Sequence, residues 1–268
     1  MSRATKLELT YGEHALGAAE RFGDHERMSQ AHVLHWLSQF DDPHLPLAIR
    51  LLERIRYYNT LNIRTLCRQL VSVILDTLPQ AEYPLIAVVP VGGPGSGSAI
   101  MARIVRDAVH GTRCRLVQTL QLAQAKAGDF SALVFIDDFS GSGKTLSDWW
   151  MSVEPLVRPL DAEIVFGLLV LNYRARGPVQ EFASRIICVE ELDESADVFD
   201  DACGDFDEAE KLVLLEYSRR TGCGAKYLRG FGDCGLILSF RYGCPNNSIP
   251  SLWHATKSWR ALFMRRAV

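Results

Sequence analysis

One segment of the chain, residues 132–146, reads ALVFIDDFSGSGKTL and restricts the fold more than any other. Its apolar beginning predicts a buried strand, and two carboxylates, Asp137 and Asp138, follow directly. A loop of glycine and serine residues comes next, and Leu146 to Val153 can begin a helix. Glycines allow backbone N–H groups to converge, and a helix N-terminus adds partial positive charge. The order of strand, acidic pair, small-residue loop and helix therefore predicts a phosphate-binding site.

Two kinds of phosphate-binding loop compete for this segment. A P-loop has a glycine, four free positions and then Gly-Lys-Ser/Thr, and Gly143-Lys144-Thr145 matches the second half of that pattern. The first glycine would fall at position 138, which is an aspartate whose charge would repel phosphates. The spacing therefore excludes a P-loop. The plain alternative is a tight strand–helix turn with a solvated pair of aspartates.

The segment instead resembles the PRPP-binding motif of type I phosphoribosyltransferases, which has an apolar strand, two acidic residues and a loop rich in Thr, Ser and Gly. The resemblance implies that Asp137 and Asp138 hold the two ribose hydroxyls and form the catalytic pair. It also implies that a loop wraps the 5′-phosphate, and this loop consists of Ser140, Gly141, Ser142, Gly143, Lys144 and Thr145. Lys144 departs from the family, which mostly has a small residue there, although a cation beside a phosphate is physically sensible.

A second glycine-rich segment, residues 85–109, precedes the first along the chain. Leu85 to Pro90 predicts a buried strand, and Ala99 to Val109 has helical periodicity. The spacing of a dinucleotide fingerprint is not cleanly met, and an ordinary flexible turn is the alternative. The resemblance implies that the intervening loop binds pyrophosphate through its backbone amides, and the residues concerned are Gly92, Gly93, Gly95, Ser96, Gly97 and Ser98.

From residue 82 onward, apolar strands alternate with helical segments. The predicted strands are 84–90, 114–119, 132–137, 163–171 and 185–190. The predicted helices are 98–110, 145–157 and 178–184. This alternation predicts an α/β fold with a central, mostly parallel sheet covered by helices on both faces, as in type I phosphoribosyltransferases. Ligands in such sheets bind at the carboxyl ends of the strands, where both glycine-rich loops would lie.

The first 80 residues predict a helical subdomain. Residues 1–30 are a short helix or an ordered arm, and three helices follow at Ala31–Phe40, Leu45–Tyr58 and Thr60–Leu78. Three short helices resemble a helix-turn-helix or winged-helix unit. Its basic residues are Arg50, Arg54, Arg56, Arg64 and Arg68. They indicate either nucleic-acid or partner binding, or a helical cap with solvated arginines; we favour the cap because no recognition helix stands out.

The C-terminal part predicts a helix at 206–220, a strand at 235–241 and then a turn. It resembles the C-terminal part of phosphoribosyltransferase-like domains from bacterial conflict and antiphage systems. The resemblance implies a hood over the base, and we expect either this tail or the N-terminal helices to supply it. The candidate residues in the tail are Asn246, Asn247 and Trp253. A packed hairpin without chemistry is the alternative. We therefore predict an N-terminal helical subdomain at 1–80, an α/β core at 81–204 and a C-terminal extension at 205–268 that completes the core.

Composition narrows the classes of protein. The chain has 268 residues and a formal net charge of −3, so no global basic field indicates nucleic acid. Neither a signal peptide nor an apolar run of membrane-spanning length is visible, and we expect a cytoplasmic protein. The seven cysteines are scattered without a C-x-x-C pair, and the histidines form no ligand motif. No side-chain cluster therefore predicts a metal site, and Mg²⁺ would be held by the ligand and by Asp137 and Asp138.

Two functions stay open at this point. The first is an enzyme that binds PRPP or a nucleotide with Mg²⁺ and acts at C1′ of the ribose, as an antiphage effector. The second is an inactive module in which the same pocket senses a nucleotide while the helical part binds nucleic acid or a partner. The conflict-system resemblance implies a retron-type complex of reverse transcriptase and noncoding RNA as partner. A homo-oligomer is a further expectation.

Overall fold

The computed structural model describes residues 1–78, 85–93 and 96–264. The helices are α1 (Arg3–Arg21), α2 (Gln30–Leu37), α3 (Leu45–Arg54), α4 (Thr60–Thr77), α5 (Gly97–Val109), α6 (Thr119–Leu122), α7 (Lys144–Val157), α8 (Tyr173–Gln180), α9 (Glu208–Arg220) and α10 (Pro250–Trp253). The strands are β1 (Arg56–Tyr58), β2 (Leu85–Pro90), β3 (Cys114–Leu116), β4 (Phe130–Ser140), β5 (Glu163–Asn172), β6 (Arg185–Leu192) and β7 (Leu238–Phe240). None of these helices combines the length and apolar character needed to cross a bilayer.

The chain divides into two compact units, and the division is discontinuous in sequence. The first unit holds Met1–Thr60 together with the described residues from Glu194 onward, and the second holds Leu61–Asp193. The predicted boundaries at 80/81 and 204/205 differ from this division, and the first lies outside the described residues. The third predicted helix, α4, belongs to the sheet-bearing unit, so the three helices of the expected winged-helix-like subdomain are split between the units.

The second unit is built on a parallel sheet. Among the described residues, five strands pair in the order β3-β2-β4-β5-β6, and every pairing is parallel. The central strand β4 pairs with β2 as far as Ile136, which lies opposite Pro90. It pairs with β5 as far as Ser140, which lies opposite Leu171. Side chains along these strands are almost all buried, as both faces of a parallel sheet require. The predicted α/β fold with a central parallel sheet is confirmed.

Helices cover both faces of this sheet. Successive residues of β4 alternate between the faces. On one face Leu133 and Phe135 share a buried apolar cluster with Leu146 and Trp150 of α7. On the other face, the side chains of Val134, Ile136 and Leu70 of α4 surround the position that a Cβ on Gly167 of β5 would occupy. The apolar stripe of α4 therefore serves the sheet, which explains why this helix folds with the second unit.

The first unit is a helical body with an aromatic core. Trp36 and Phe40 are fully buried and pack at 4.7 Å between ring centroids, while Tyr217 lies 4.4 Å from Phe40. The indole N–H of Trp36 donates to the carbonyl of Ser251 at 2.8 Å, so the polar atom of this ring is satisfied. A short parallel pair of strands, β1 and β7, completes the unit.

Several predicted elements shift. Residues 1–30 contain a helix of 19 residues, Arg3–Arg21. The helix expected over 45–58 ends at Arg54, because the next residues pair with Leu238–Phe240. The expected strand 114–119 ends at Leu116, and the helix placed at 178–184 is Tyr173–Gln180, with Pro178 inside it instead of at its start. The acidic pair lies within β4, which runs three residues beyond the predicted end at 137.

The arginines of the N-terminal helices are partly used inside the first unit. Arg50 forms an ion pair with Glu210 of α9, and Arg54 pairs with Asp205 at 2.9 Å. Carboxylates of the same unit therefore offset part of the positive charge that a nucleic acid would require. Arg64 and Arg68 are exposed on α4, in the other unit.

Candidate functional site

The order of the strands places the two glycine-rich loops beside each other. From β2 the chain crosses through α5 to β3 on one side, and it then returns to β4 on the other side of β2. The direction of winding therefore reverses between β2 and β4. Crevices at the carboxyl ends of strands at such a reversal are the usual ligand sites of parallel sheets. The loop after β2 and the loop after β4 flank this crevice.

Asp137 is the buried member of the acidic pair. Its side chain belongs to the buried polar residues, and its Oδ1 accepts the backbone N–H of Asp138 at 3.0 Å. Burial raises its pKa well above the ordinary range, and the neighbouring carboxyl of Asp138, which shares a hydrogen bond with it, raises it further. The pair therefore binds a proton more readily than isolated carboxyls do, and a nearby cation would favour its ionised form.

Asp138 is more exposed than Asp137 and lies close to residues of two helices, α5 and α4. Its carboxylate sits directly on Gly97, the first residue of α5, so that a Cβ at this position would overlap the carboxylate oxygens. On the other side lies Cys67 of α4, a buried thiol whose pKa is raised to about 12 by burial and by the charge of Asp138. The absence of a side chain at Gly97 thus allows the carboxylate to approach the N-terminus of a helix.

The loop after β4 has the form expected of an anion cradle. Ser140 and Gly141 are buried, Ser142 is partly exposed, and Lys144 and Thr145 are exposed. Gly143 has a φ of +79°, and no side chain caps the helix N-terminus that follows it. A cap is the usual partner of the first N–H groups of a helix, so within the described residues these donors stay available. Lys144 forms an exposed ion pair with Asp148 one turn along α7.

The loop after β2 is tied together by its serines. Gly92 has a φ of +81°, a backbone conformation that favours glycine. Ser96 caps α5 by accepting the N–H of Ala99 at 3.3 Å, and its hydroxyl lies 2.8 Å from that of the buried Ser98. Ser98 in turn donates to the carbonyl of Val91. The predicted loop residue Gly95 lies outside the described residues, and a Cβ on Gly93 would meet open space.

The proposed hood residues belong to the first unit and have partners there. The amide of Asn247 is buried and donates to the carbonyl of Phe231 at 2.8 Å. The carbonyl of Asn246 accepts the N–H of the same Phe231 at 2.7 Å. The indole N–H of Trp253 donates to Ser248 at 2.8 Å. These contacts stabilise the turn at 245–248, and the role of the three residues toward a base stays a prediction.

Asn172 is a polar residue of this region that the sequence reading missed. It is the last residue of β5, the neighbour of β4, and its side chain is fully buried. Within the described part of the chain neither its amide nitrogen nor its amide oxygen has a hydrogen-bond partner. Buried groups of this kind are rare and are normally satisfied by water or a ligand. A polar residue at the end of an otherwise apolar strand was the signal in the sequence.

The free amide predicts an unusual stability effect. We expect Asn172→Leu to raise the free energy of unfolding by about 1 kcal/mol, because it removes a buried group whose desolvation is uncompensated. Urea unfolding monitored by circular dichroism measures the change. Gln69→Leu on the exposed side of α4 is the control and should stay within about 0.5 kcal/mol of the wild type. A loss of stability in Asn172→Leu would contradict an unpaired amide.

The donor set of the site fits Mg²⁺ only with the help of a ligand. The ion prefers carboxylates together with phosphate oxygens, and Asp137 and Asp138 offer the first kind. Across residues 1–78, 85–93 and 96–264, no group of three or more His, Cys, Asp or Glu side chains is arranged to hold a metal. The acidic pair would therefore share the ion with a phosphorylated ligand.

Comparison with known families decides the relationship of the chain. The model of the PRTase-CE family matches residues 33–265, which include both glycine-rich loops and the acidic pair. The chain belongs to the PRTase-CE family. The match extends over both units of this PRTase-CE protein, so the family pattern includes the helical part as well as the sheet.

Solved structures of phosphoribosyltransferases resemble about half of this PRTase-CE chain. The xanthine-guanine-hypoxanthine phosphoribosyltransferase of Helicobacter pylori is 9% identical, with a TM-score of 0.33 over 52% of this chain and 90% of its own. The hypoxanthine phosphoribosyltransferase of Trypanosoma cruzi is 16% identical, with a TM-score of 0.30 over 51% and 75%. A hypothetical protein of Neisseria gonorrhoeae with bound ppGpp is 15% identical, with a TM-score of 0.36 over 58% and 97%. These likenesses establish no shared activity, and no curated protein matches the sequence.

Proposed function

We propose that this chain binds PRPP or a nucleotide with Mg²⁺ and catalyses substitution at C1′ of the ribose. A nitrogen base or another nucleophile, such as water, forms the new bond at C1′ as pyrophosphate or the base of the nucleotide leaves. The observation that carries the proposal is the arrangement at the end of β4, where Asp137 and Asp138 lie near the N-termini of two helices. Gly97, the first residue of α5, has no side chain and so leaves room for the Asp138 carboxylate. No side chain caps the N-terminus of α7. Such an arrangement suits a ligand that carries neighbouring hydroxyls and separate phosphates.

Each part of the site has a role in this reaction. Asp137 and Asp138 accept hydrogen bonds from the ribose hydroxyls, and their charge offsets the positive charge that develops on the sugar as the bond at C1′ breaks. The amides after β4 hold the 5′-phosphate, and those after β2 hold the leaving pyrophosphate. Mg²⁺, when bound with the ligand, neutralises the phosphate charge and favours departure of the leaving group. Because pyrophosphate leaves readily, its departure needs no dedicated general acid.

The acidic pair also predicts how the ligand couples to protons. Burial and the neighbouring carboxyl raise the pKa of Asp137, so the pair binds a proton more readily in the free protein than isolated carboxyls would. A ligand that brings positive charge to the pair would favour its ionised form, and binding of that ligand would release a proton from Asp137 or Asp138. Ligand binding therefore becomes stronger as the pH rises through the titration of the pair.

Product analysis tests the proposal. The purified chain is incubated with Mg²⁺ and PRPP, or with each common nucleotide, and the products are identified by mass spectrometry. We expect release of pyrophosphate or of a free base, and no product from the double variant Asp137→Asn with Asp138→Asn. Asp161→Asn is the matched control, because Asp161 is exposed and has a φ of +52° that asparagine adopts well. Equal turnover by the double variant and the wild type would refute the proposed site.

A wider role follows from the sequence resemblance alone. We propose a cytoplasmic antiphage effector that is held by a retron-type complex of reverse transcriptase and noncoding RNA and acts when released. Co-purification of the chain with such a complex, and growth arrest on its loss, are the expected results. If the wild type turns over no nucleotide but binds one, the nucleotide-sensing module becomes the better description.

A further inference from the structure

A large cleft opens in the first unit and takes no part in the proposed reaction. It encloses about 860 Å³ and lies between the start of α2 and the segment after α10. Arg27, His32 and His35 line one side, and His254 and Arg260 line the other. Trp253 forms an apolar wall. All of these residues belong to a single compact unit, so the cleft is a property of that unit.

The lining of this cleft is basic. Five of its residues are arginine or histidine, and no aspartate or glutamate of the described chain lines it. Arg260 is exposed and has no carboxylate partner among the described residues. Arg27 approaches only Glu26, its neighbour in sequence, at 4.0 Å. The permanent positive charges of the cleft are those of Arg27 and Arg260, and no carboxylate of the described lining offsets them in a protein whose net charge is −3.

Backbone contacts hold the cleft in shape. His32 Nε2 lies 2.8 Å from the carbonyl oxygen of Leu262, so this nitrogen carries the proton and donates. Gln39 fixes Arg260 from both sides, since its amide donates to the Arg260 carbonyl at 2.9 Å and its side-chain oxygen accepts the Arg260 N–H at 2.5 Å. Ser29 caps α2 by accepting the N–H of His32 at 3.2 Å. These contacts fix the backbone around the cleft, so its shape needs little reorganisation when a ligand binds.

The pKa of His35 reflects its burial and the positive charges around it. Burial lowers the pKa of His35, and the nearby charges of Arg260 and His32 lower it further. Burial also lowers the pKa of His254. The imidazoles are therefore mostly neutral at pH 7 in the free protein. An anion in the cleft would offset the charges that act on His35 and raise its pKa.

We propose that this cleft binds a phosphorylated small molecule of nucleotide size. The basic groups on both sides suit phosphate oxygens, and arginine is the side chain that binds them with two parallel hydrogen bonds. The volume falls within the range of small-molecule sites and exceeds what a single inorganic anion fills. Trp253 is 6% exposed and its indole N–H is already bonded, so the ring supplies a rigid apolar surface for the organic part of the ligand.

Histidine NMR on the full chain tests the proposal unit by unit. The Cε1–H resonances of His32, His35 and His254 report on the cleft, whereas His110 is the one histidine in the second unit. The probes are ATP, GTP and pyrophosphate without Mg²⁺ at constant ionic strength, with adenosine as the uncharged comparison. We expect saturable shifts of the cleft histidines, a rise in the pKa of His35, and binding of adenosine at least about 10-fold weaker than ATP.

Matched variants locate the binding. Arg260→Gln removes a cleft charge and should weaken ATP binding about 10-fold, as expected for one charge-assisted contact. Arg219→Gln removes the same charge from the exposed side of α9, where it pairs with Glu216, and should leave the affinity unchanged. The proposal is overturned if the cleft histidines do not respond to any of the three probes, if the two variants weaken binding equally, or if only a long single-stranded oligonucleotide shifts the resonances. The acidic pair takes no part in this measurement, so its result is independent of the proposed reaction.

Discussion

Gly97→Ala is expected to leave the protein folded and to weaken PRPP or nucleotide binding about 100-fold. The new methyl group would occupy the space of the Asp138 carboxylate, which rests against Gly97 in the structure. This carboxylate is the end of a short side chain and can rotate away, so the fold survives while the ribose loses its partner. Loss of one or two hydrogen bonds to a charged group corresponds to about 10–100-fold in affinity. Isothermal titration calorimetry with Mg²⁺ and the ligand measures the change.

Gly177→Ala provides the matched control for this result. A Cβ at Gly177 meets open space on α8, in the same unit, and alanine is the better helix former. We expect unchanged affinity and equal or slightly higher stability. If Gly97→Ala keeps the affinity of the wild type, Asp138 does not hold the ligand in the observed position. If it unfolds the unit, the contact is structural.

Gly143→Ala is expected to impair both stability and phosphate binding. The residue has a φ of +79°, and its Cβ would lie 2.9 Å from Cβ of Pro178 and 3.4 Å from the carbonyl of Ala175. Backbone strain and crowding against a neighbouring helix together should lower the free energy of unfolding by about 3 kcal/mol. The start of α7 would move, and with it the amide groups proposed to hold the 5′-phosphate. Urea unfolding and calorimetric titration report the two effects separately.

Gly111→Ala is the control that separates backbone strain from side-chain crowding in the effect of Gly143→Ala. Gly111 has nearly the same φ, +78°, but a Cβ there meets nothing within 4 Å. We expect the free energy of unfolding of this variant to fall by only about 1 kcal/mol, which is the cost of the left-handed backbone conformation for alanine. Ligand binding should be unchanged. Equal losses in the two variants would show that Pro178 yields easily and that crowding at Gly143 contributes nothing.

The sheet and its two loops could be predicted because their signals are local. Apolar runs such as Leu85–Pro90 indicate buried strands wherever they stand, and glycines mark the turns that follow them. The order of strands and helices then restricts the topology to a parallel sheet with a ligand crevice at one edge. The acidic pair was placed at that edge from sequence alone. The predicted strand ends at Asp137, three residues before the end of β4, because polar residues at a strand end resemble a loop.

Long-range contacts could not be predicted in the same way. No local pattern shows that Arg56–Tyr58 pairs with Leu238–Phe240, since the partners are distant in sequence and each strand has three residues. The apolar stripe of α4 indicates a buried face without saying which unit buries it. The contact between Gly97 and Asp138 likewise depends on two loops meeting in space. The basic cleft gathers residues from positions 27 to 35 and 253 to 260, which no motif connects.

The split first unit has a consequence for biosynthesis. Its β1 strand emerges from the ribosome long before β7, and every strand of the parallel sheet is translated in between. Domains generally acquire their structure as soon as their residues are available. Leu61–Asp193 can therefore mature first, while the early helices wait with unburied apolar faces for α9 and the closing segment. A premature stop codon after residue 193 would therefore leave the sheet-bearing unit attached to an unfinished helical body.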